Sequence, residues 1–213
     1  GHRFYCIRII HMSEQDFYTT IEQSAVAEFK DRGSKFLAYA FPAASAEQFK
    51  NELQKLKELH PKANHHCFAY RIGTDGLLFR VSDDGEPSGS AGRPILGQID
   101  SKQLVNAAVV VVRYFGGTLL GVPGLINAYK TSAALVLQTI PAVQKQIEVY
   151  YRAEFDYTRM NEVMMILKQC NCTIQEQELQ LFCSIKTGIP KNRLEEVLYR
   201  FKDLHDVQIT KIA

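Results

Sequence analysis

The chain has 213 residues, 46% hydrophobic and 23% charged, a balance typical of a folded globular protein and not of a disordered one. Its formal net charge of +2 comes entirely from Arg3 and Arg8, because residues 14–140 and 141–213 each carry equal numbers of basic and acidic side chains. This neutrality argues against a protein that wraps duplex nucleic acid, and no apolar run approaches the roughly 20 residues needed to cross a bilayer.

We predict that residues 1–13 are a leader foreign to the native protein, because the unusual stretch "GHRFYCIRIIH" precedes Met12. This segment lacks the apolar core and small-residue cleavage site of a signal peptide, so we expect a cytoplasmic protein. Reduced and mostly buried thiols are therefore expected, and no zinc-type spacing accompanies any pair of them. The five cysteines are Cys6, Cys67, Cys170, Cys172 and Cys183.

Runs of β-branched and aromatic residues predict five strands in the first half of the chain. Two of them flank the Arg32–Gly33 turn as a hairpin, and "GTDG" joins the next two. The fifth contains "AAVVVV", apolar without alternation, which predicts a strand in the middle of a sheet with both faces buried. The strands are expected at 25–31, 34–43, 65–72, 77–82 and 105–117.

Three helices are predicted among these strands. Ser45 and Gln48 form a capping box, apolar residues then recur every three or four positions, and Pro61 ends the helix. A second helix is expected near 92–99, and a third over 124–140, where "GLINAYKTSAALVLQTI" has helical spacing. Strands and helices together indicate the α+β class.

The character of the chain changes at "PAVQKQ" (141–146), which we interpret as a short linker. Beyond it the pattern predicts a strand, a helix, two strands, a helix and a final strand, with Pro190 in the first turn of the second helix. This β-α-β-β-α-β order is that of ferredoxin-like domains. The sequence therefore predicts two α+β domains.

The loop "SDDGEPSGSAGRP" (82–94) concentrates glycine, serine and acidic residues ahead of a predicted helix. Its glycines permit positive φ and close approach to a ligand, and successive N–H groups that end at a helix start suit an anion. Asp83, Asp84 and Glu86 at its head would repel an anion unless a cation intervenes. Two interpretations remain open: a phosphate-binding loop, or a loop of fixed shape without a ligand.

Arg113 stands directly after four valines in the predicted central strand, and Gly116 and Gly117 follow it in "VVRYFGGTLLG" (111–121). A guanidinium is costly to bury unless it meets an acid, a phosphate or water. It either binds a ligand phosphate or pairs with an acid of the 82–94 loop and braces that loop against the sheet. Both interpretations bring the two glycine segments together in one hollow.

Two adjacent histidines on a strand point to opposite faces, so they are poorly placed to hold one metal together. No residue has the setting of a nucleophile, and no nucleotide-binding fingerprint is present. Apart from Mg²⁺ on the acidic loop, we expect neither a metal nor a cofactor. The predicted ligand- or phosphate-binding residues are His65, His66, Ser88, Gly89, Ser90, Gly92, Arg93, Arg113, Gly116 and Gly117, with Asp83, Asp84 and Glu86 as an acidic brace or metal site.

Three motifs in this order resemble those of the YigZ/Impact family: "HHC" at 65–67, "SDDGEPSGSAGRP" at 82–94 and "VVRYFGGTLLG" at 111–121. The resemblance implies an Impact-type domain over 14–140, with the second-domain fold of a small-subunit ribosomal protein that translation factors and GHMP kinases share. Over 146–213 it implies a ferredoxin-like domain similar to the last domain of elongation factor G. The resemblance brings no established catalytic residues to either domain.

Eukaryotic members of that family are known as regulators of translation initiation, through a further N-terminal domain that we do not expect here. The resemblance implies a non-enzymatic, translation-linked regulatory or binding protein that contacts RNA or a ribosome-associated partner through the glycine-rich loops. One alternative is an enzyme acting on a phosphorylated small molecule, with Mg²⁺ held by the acidic loop. Another is a braced, ligand-free loop with the working surface on the sheet of the second domain. The oligomeric state and any catalysis are left open.

Overall fold

The computed structural model describes residues 15–212, which fold as two compact units of mixed helix and strand. One unit comprises residues 18–145, and the other comprises residues 146–212 together with residues 15–17. The α+β class predicted from the sequence is confirmed. The predicted leader, residues 1–13, and Cys6 lie outside the described residues.

A five-stranded antiparallel sheet forms the centre of the first unit, and β6 is its middle strand. The strands up to residue 146 are β1 (Phe17–Ile21), β2 (Ala25–Asp31), β3 (Ser34–Pro42), β4 (His65–Ile72), β5 (Leu78–Ser82), β6 (Ala107–Tyr114) and β7 (Ala142–Gln146). The sheet has the order β2-β3-β6-β4-β5. Every residue of β6 from Ala107 to Arg113 is buried, which confirms the strand predicted to be covered on both faces.

Three helices cover the two faces of this sheet: α1 (Ala46–Leu59), α2 (Gly92–Ser101) and α3 (Gly121–Gln138). The Ser45 side chain accepts the N–H of Gln48 at the start of α1, as the capping pattern predicts. Phe49 and Leu56 of α1 belong to the core on one face, and α2 and α3 bury the other face. Because both faces are covered, polar side chains can gather only at the ends of the strands.

The interpretation of residues 141–146 as a linker is wrong. Ala142–Gln146 is β7, and it pairs with β1, a strand that no periodicity predicted. Both strands are short and of mixed exposure, and their partners lie at opposite ends of the unit in sequence. Such strands acquire their conformation from pairing, so the local sequence carries little signal for them.

The second unit has the β-α-β-β-α-β order predicted from its sequence. Its elements are β8 (Glu148–Asp156), α4 (Met160–Gln169), β9 (Thr173–Leu179), β10 (Phe182–Pro190), α5 (Leu194–Lys202) and β11 (Val207–Lys211). The strands pair antiparallel in the order β11-β8-β10-β9, and Phe155, Ile185 and Phe201 are central to the core beneath the helices. Pro190 ends β10 and does not begin the helix as predicted, because a short 3₁₀ turn at 191–193 precedes α5.

The four cysteines within the described residues are all free thiols. Cys67, Cys170 and Cys183 are buried and Cys172 is half-buried, so they act as small core side chains, as expected. Across residues 15–212, no helix is both long enough and apolar enough to span a bilayer.

Candidate functional site

The segments singled out from the sequence meet at one end of the five-stranded sheet. Arg113 near the end of β6 lies in register between Phe36 of β3 and His65 of β4. The loop after β5 folds over this end through Glu86, and the turn between β2 and β3 closes the other side through Ser34. The prediction that Arg113 meets the 82–94 loop is confirmed.

Arg113 is held by a buried acid. Its Nη1 donates to both carboxylate oxygens of Glu86 at 2.8 Å, and its Nη2 donates to Ser34 Oγ at 3.2 Å. The guanidinium also lies 5.5 Å and 5.6 Å from the ring centres of Phe36 and Phe115. Only 6% of the Arg113 side chain and 3% of the Glu86 side chain are exposed. This geometry favours the brace over a guanidinium kept free for phosphate.

His65 is the third member of this cluster. Its Nε2 lies 2.7 Å from Glu86 Oε1, and its Nδ1 lies 2.7 Å from the carbonyl oxygen of Asp84. Both neighbours are hydrogen-bond acceptors, whereas a neutral imidazole has only one N–H to donate. Both ring nitrogens must therefore carry protons, and His65 is cationic in this arrangement. Arg113, Glu86 and His65 together carry one net positive charge.

The 82–94 loop does form an anion cradle, but the anion is the carboxylate of Asp83. Its Oδ2 accepts the N–H of Gly89 at 2.9 Å, and its Oδ1 accepts those of Ala91 and Gly92 at 3.1 and 2.8 Å. The last two groups lie at the start of α2, where the helix dipole also favours an anion. Burial alone would raise the pKa of Asp83, but these N–H groups and the nearby Arg93 lower it. An internal carboxylate thus fills the place that a ligand phosphate would need.

Asp84 completes the internal pairing of the acids. Its carboxylate accepts the backbone N–H of His66 at 2.7 Å. The three carboxylates therefore point to three different sets of donors, and residues 15–212 contain no group of His, Cys, Asp or Glu side chains placed to hold a metal. The arrangement does not support the alternative in which the acidic loop holds Mg²⁺.

Two of the glycines predicted to contact a ligand are required by close packing. A side chain on Gly116 would overlap the main chain of Gly33 in the facing β2–β3 turn, and one on Gly92 would lie 2.8 Å from the main chain of β5. Gly89 and Gly117 differ, since each has a positive φ, 79° and 89°, with open space beside it. The glycine segments are pressed against their neighbours and are not held apart around a ligand.

The other predicted ligand residues do not join the cluster. His66 points to the opposite face of β4, where its Nε2 lies 3.1 Å from the carbonyl oxygen of His60. Ser88 and Arg93 are exposed, and Ser90 is buried with its hydroxyl donated within the loop. Of the predicted ligand set, His65 and Arg113 share a site through Glu86.

A second polar chain, on the α1 face of the sheet, was not predicted. His60, just past the end of α1, lies 2.7 Å from the hydroxyls of both Tyr39 and Tyr114. Burial lowers the pKa of His60 and of His66, and the nearby His66 ring adds to the effect on His60. Pro61 marks this helix end in the sequence, but no local signal shows that tyrosines from two other strands reach it.

A cavity of about 420 Å³ opens beside the Arg113 cluster, and we call it the Leu119 pocket. Its floor carries His65, Glu86 and Arg113, and its walls include Phe115, Leu119 and Val122. Leu119 is 84% exposed, and the other two wall residues are nearly half exposed. No periodicity identified these wall residues, because they lie in a loop and in the first turn of α3.

Several known proteins are similar to this chain. The family model for the Impact N-terminal domain matches residues 32–137. The IMPACT family member YigZ of Escherichia coli (strain K12) is 30% identical over 172 residues, which covers 80% of this chain and 84% of that protein. Protein IMPACT of Mus musculus is 36% identical over 120 residues, 53% of this chain and 37% of that protein. A crystal structure of a hypothetical protein matches with a TM-score of 0.72 at 27% identity, over 93% of this chain and 98% of that chain.

Proposed function

This chain belongs to the IMPACT family, and we propose that it is a non-enzymatic, translation-linked regulatory or binding protein of the cytoplasm. The link to translation is supported by family membership, since eukaryotic members of the family regulate translation. The absence of a metal-ligating cluster from the described part of the chain supports a role in binding more than one in catalysis.

One observation carries the proposal: the chain's own acids occupy the donors that a substrate phosphate would need. Asp83 accepts the N–H groups at the start of α2, and Glu86 accepts from Arg113. A phosphoryl-transfer enzyme keeps such donors free for its substrate and holds Mg²⁺ beside the phosphate. A binding protein needs a surface of fixed shape, and these internal pairs fix the shape of the loops.

The proposed contact surface is the loop end of the five-stranded sheet. It includes Ser88 and Arg93, which are exposed, and the rim of the Leu119 pocket. Equal numbers of acidic and basic side chains in residues 14–140 disfavour tight binding of duplex nucleic acid. The exposed apolar wall formed by Phe115 and Leu119 favours a ribosome-associated protein as the partner over RNA.

We also propose that the domains predicted from the sequence divide the work. The Impact-type domain over 14–140 would carry this contact surface. The domain over 146–213, ferredoxin-like and similar to the last domain of elongation factor G, would supply a second surface suited to the translation machinery. Both assignments follow from the resemblance and from the order of elements in each unit.

Co-sedimentation with ribosomes tests the proposal. The purified full chain is centrifuged with ribosomes over a salt series, beside Leu119→Asp and the control Leu77→Asp, whose position is 69% exposed in the turn between β4 and β5. We expect the wild-type chain and the control to pellet with ribosomes and Leu119→Asp to stay in the supernatant. Absence of binding at low salt, or equal pelleting of all three, contradicts the proposal.

Two further measurements separate the alternatives. Filter binding of RNA across a salt series identifies RNA as the partner if affinity is retained without ribosomal protein. Thermal unfolding with nucleotides and sugar phosphates, with and without Mg²⁺, tests the enzyme alternative, because a ligand that binds the folded state raises the Tm. We expect no Mg²⁺-dependent stabilisation, and a clear one would favour an enzyme.

A further inference from the structure

The Leu119 pocket combines a charged floor with apolar walls, and its volume of about 420 Å³ is within the ordinary range of ligand pockets. Arg113, Glu86 and His65 leave one net positive charge at the floor, because both His65 nitrogens face acceptors and Glu86 balances only one cation. The net charge favours an anionic group of a single charge over a cation.

The start of α3 adds donors for an anion. Gly121 and Val122 line the pocket, and no described side chain caps this 18-residue helix at its N-terminus. The first N–H groups of a helix and its dipole attract negative charge. Independently, Arg113 lines the pocket, is 5% exposed, and its Nε has no hydrogen-bond partner among residues 15–212. The donors at the pocket therefore exceed those that the chain itself uses.

The walls indicate what carries the anion. Leu120 and Leu125 are buried in the pocket, Phe115 and Val122 are partly exposed, and Leu119 stands at the rim with 84% of its surface exposed. Inorganic phosphate would leave this apolar surface in water, and its second charge would have no counterpart. An occupant that covers Leu119 must reach from the floor over the rim, as the end of a polypeptide does.

We propose that the Leu119 pocket binds the C-terminal carboxylate of a partner protein whose last residue is large and apolar. The carboxylate lies between the start of α3 and the Arg113 cluster, the last side chain contacts Phe115 and Val122, and the preceding residue covers Leu119. This inference rests on the proposed function, because it names the part of the partner that the contact surface recognises. Glu86 keeps its place against Arg113, so binding needs no change in the brace.

Fluorescence anisotropy with the full chain tests this inference. The probe is the labelled peptide Gly-Ser-Gly-Ser-Leu-Phe with a free C-terminal carboxylate, and its matched control is the same peptide with a C-terminal amide. We expect the carboxylate peptide to bind about tenfold more tightly or better, because only it places a negative charge at the helix start and the cationic floor.

Variants at the wall separate charge from shape. Val122→Asp suits the first turn of a helix but places a negative charge in the pocket. We expect it to weaken binding of the carboxylate peptide about tenfold or more, whereas the uncharged isostere Val122→Asn and the distant Leu77→Asp should each change affinity by no more than about threefold. Thermal unfolding of each variant confirms that it is folded before its affinity is compared.

Equal affinity for the carboxylate and amide peptides overturns the inference, as does a carboxylate peptide that does not bind. It is also overturned if N-acetylphenylalanine competes as strongly as the whole peptide, because the occupant is then a small carboxylate. If the peptides fail while Leu119→Asp still abolishes co-sedimentation with ribosomes, the inference is wrong and the proposed function stands. If both results are negative, the proposed function fails as well.

Discussion

Replacing Glu86 by Gln removes the charge that neutralises Arg113 and keeps the shape of the side chain. In the folded chain 3% of Glu86 and 6% of Arg113 are exposed, and both carboxylate oxygens lie 2.8 Å from Nη1. Removing one partner of a desolvated ion pair costs about 3–5 kcal/mol. Because Gln still offers a neutral acceptor, we expect the lower end of that range, a loss of about 3 kcal/mol in the free energy of unfolding.

An exposed ion pair in the same unit provides the control. Lys55 and Glu52 lie 3.0 Å apart with 71% and 39% of their side chains exposed. Because water screens such pairs, Glu52→Gln should cost no more than about 1 kcal/mol. Urea unfolding followed by far-ultraviolet circular dichroism is the assay, since the chain contains no Trp. A loss for Glu86→Gln no larger than that for Glu52→Gln would refute the reasoning.

A double-mutant cycle isolates the interaction between the two residues. Arg113→Met removes the cation and keeps an unbranched side chain, which leaves Glu86 buried with only His65 as its charged partner. The double variant Glu86→Gln/Arg113→Met should therefore be more stable than the two single losses predict, by about 2 kcal/mol. Additive losses would show that the pair contributes no coupling energy.

Three further changes test the packing, the internal anion and the buried histidines. Gly116→Ala should destabilise the chain by about 3 kcal/mol or more, because its methyl group would overlap the facing turn. Gly97→Ala, in open space on α2, should instead be neutral or stabilise by up to about 1 kcal/mol, and thermal unfolding compares the two. Asp83→Ala leaves three N–H groups without their acceptor and should cost about 1–3 kcal/mol. Since the pKa of Asp83 is lowered by folding, this contribution is complete above about pH 3.9 and is lost as the pH falls through the lower folded-state value, which acid unfolding of both proteins measures. Folding also lowers the pKa of His60 and His66, so the unfolded chain binds more protons below about pH 6.5. Stability should therefore be complete above that pH and fall below it in denaturant titrations, and a His60→Gln/His66→Gln variant that kept the same slope would contradict this origin.

The use of the acids in the 82–94 loop could not be derived from their spacing. Their composition suits either a ligand cradle or a self-contained loop, because an acid and a phosphate satisfy the same N–H groups. Asp83 reaches the N–H groups of Gly89 and Gly92 within its own loop, whereas Glu86 reaches a guanidinium on a different strand. Which acid meets which donor depends on how the loop folds over the end of the sheet.

The Leu119 pocket shows the same limit from another side. Phe115 and Leu119 read as ordinary loop residues after a buried strand, and Val122 as part of a helix start. Nothing in their spacing indicates that they share a wall, because a loop has no period from which facing residues can be inferred. The pocket exists only because the loop crosses beside the Arg113 cluster.

By itself the sequence determined the α+β class, the strands and helices with strong periodicity, and the central position of β6, because hydrophobic period and helix capping are local properties. It also singled out Arg113, since a cation in an apolar strand needs a partner in any fold. Only the tertiary structure decided that this partner is Glu86, that Gly116 serves close packing, and that residues 142–146 form a strand. Each of these depends on contacts between residues distant in the chain, and no local pattern encodes such distances.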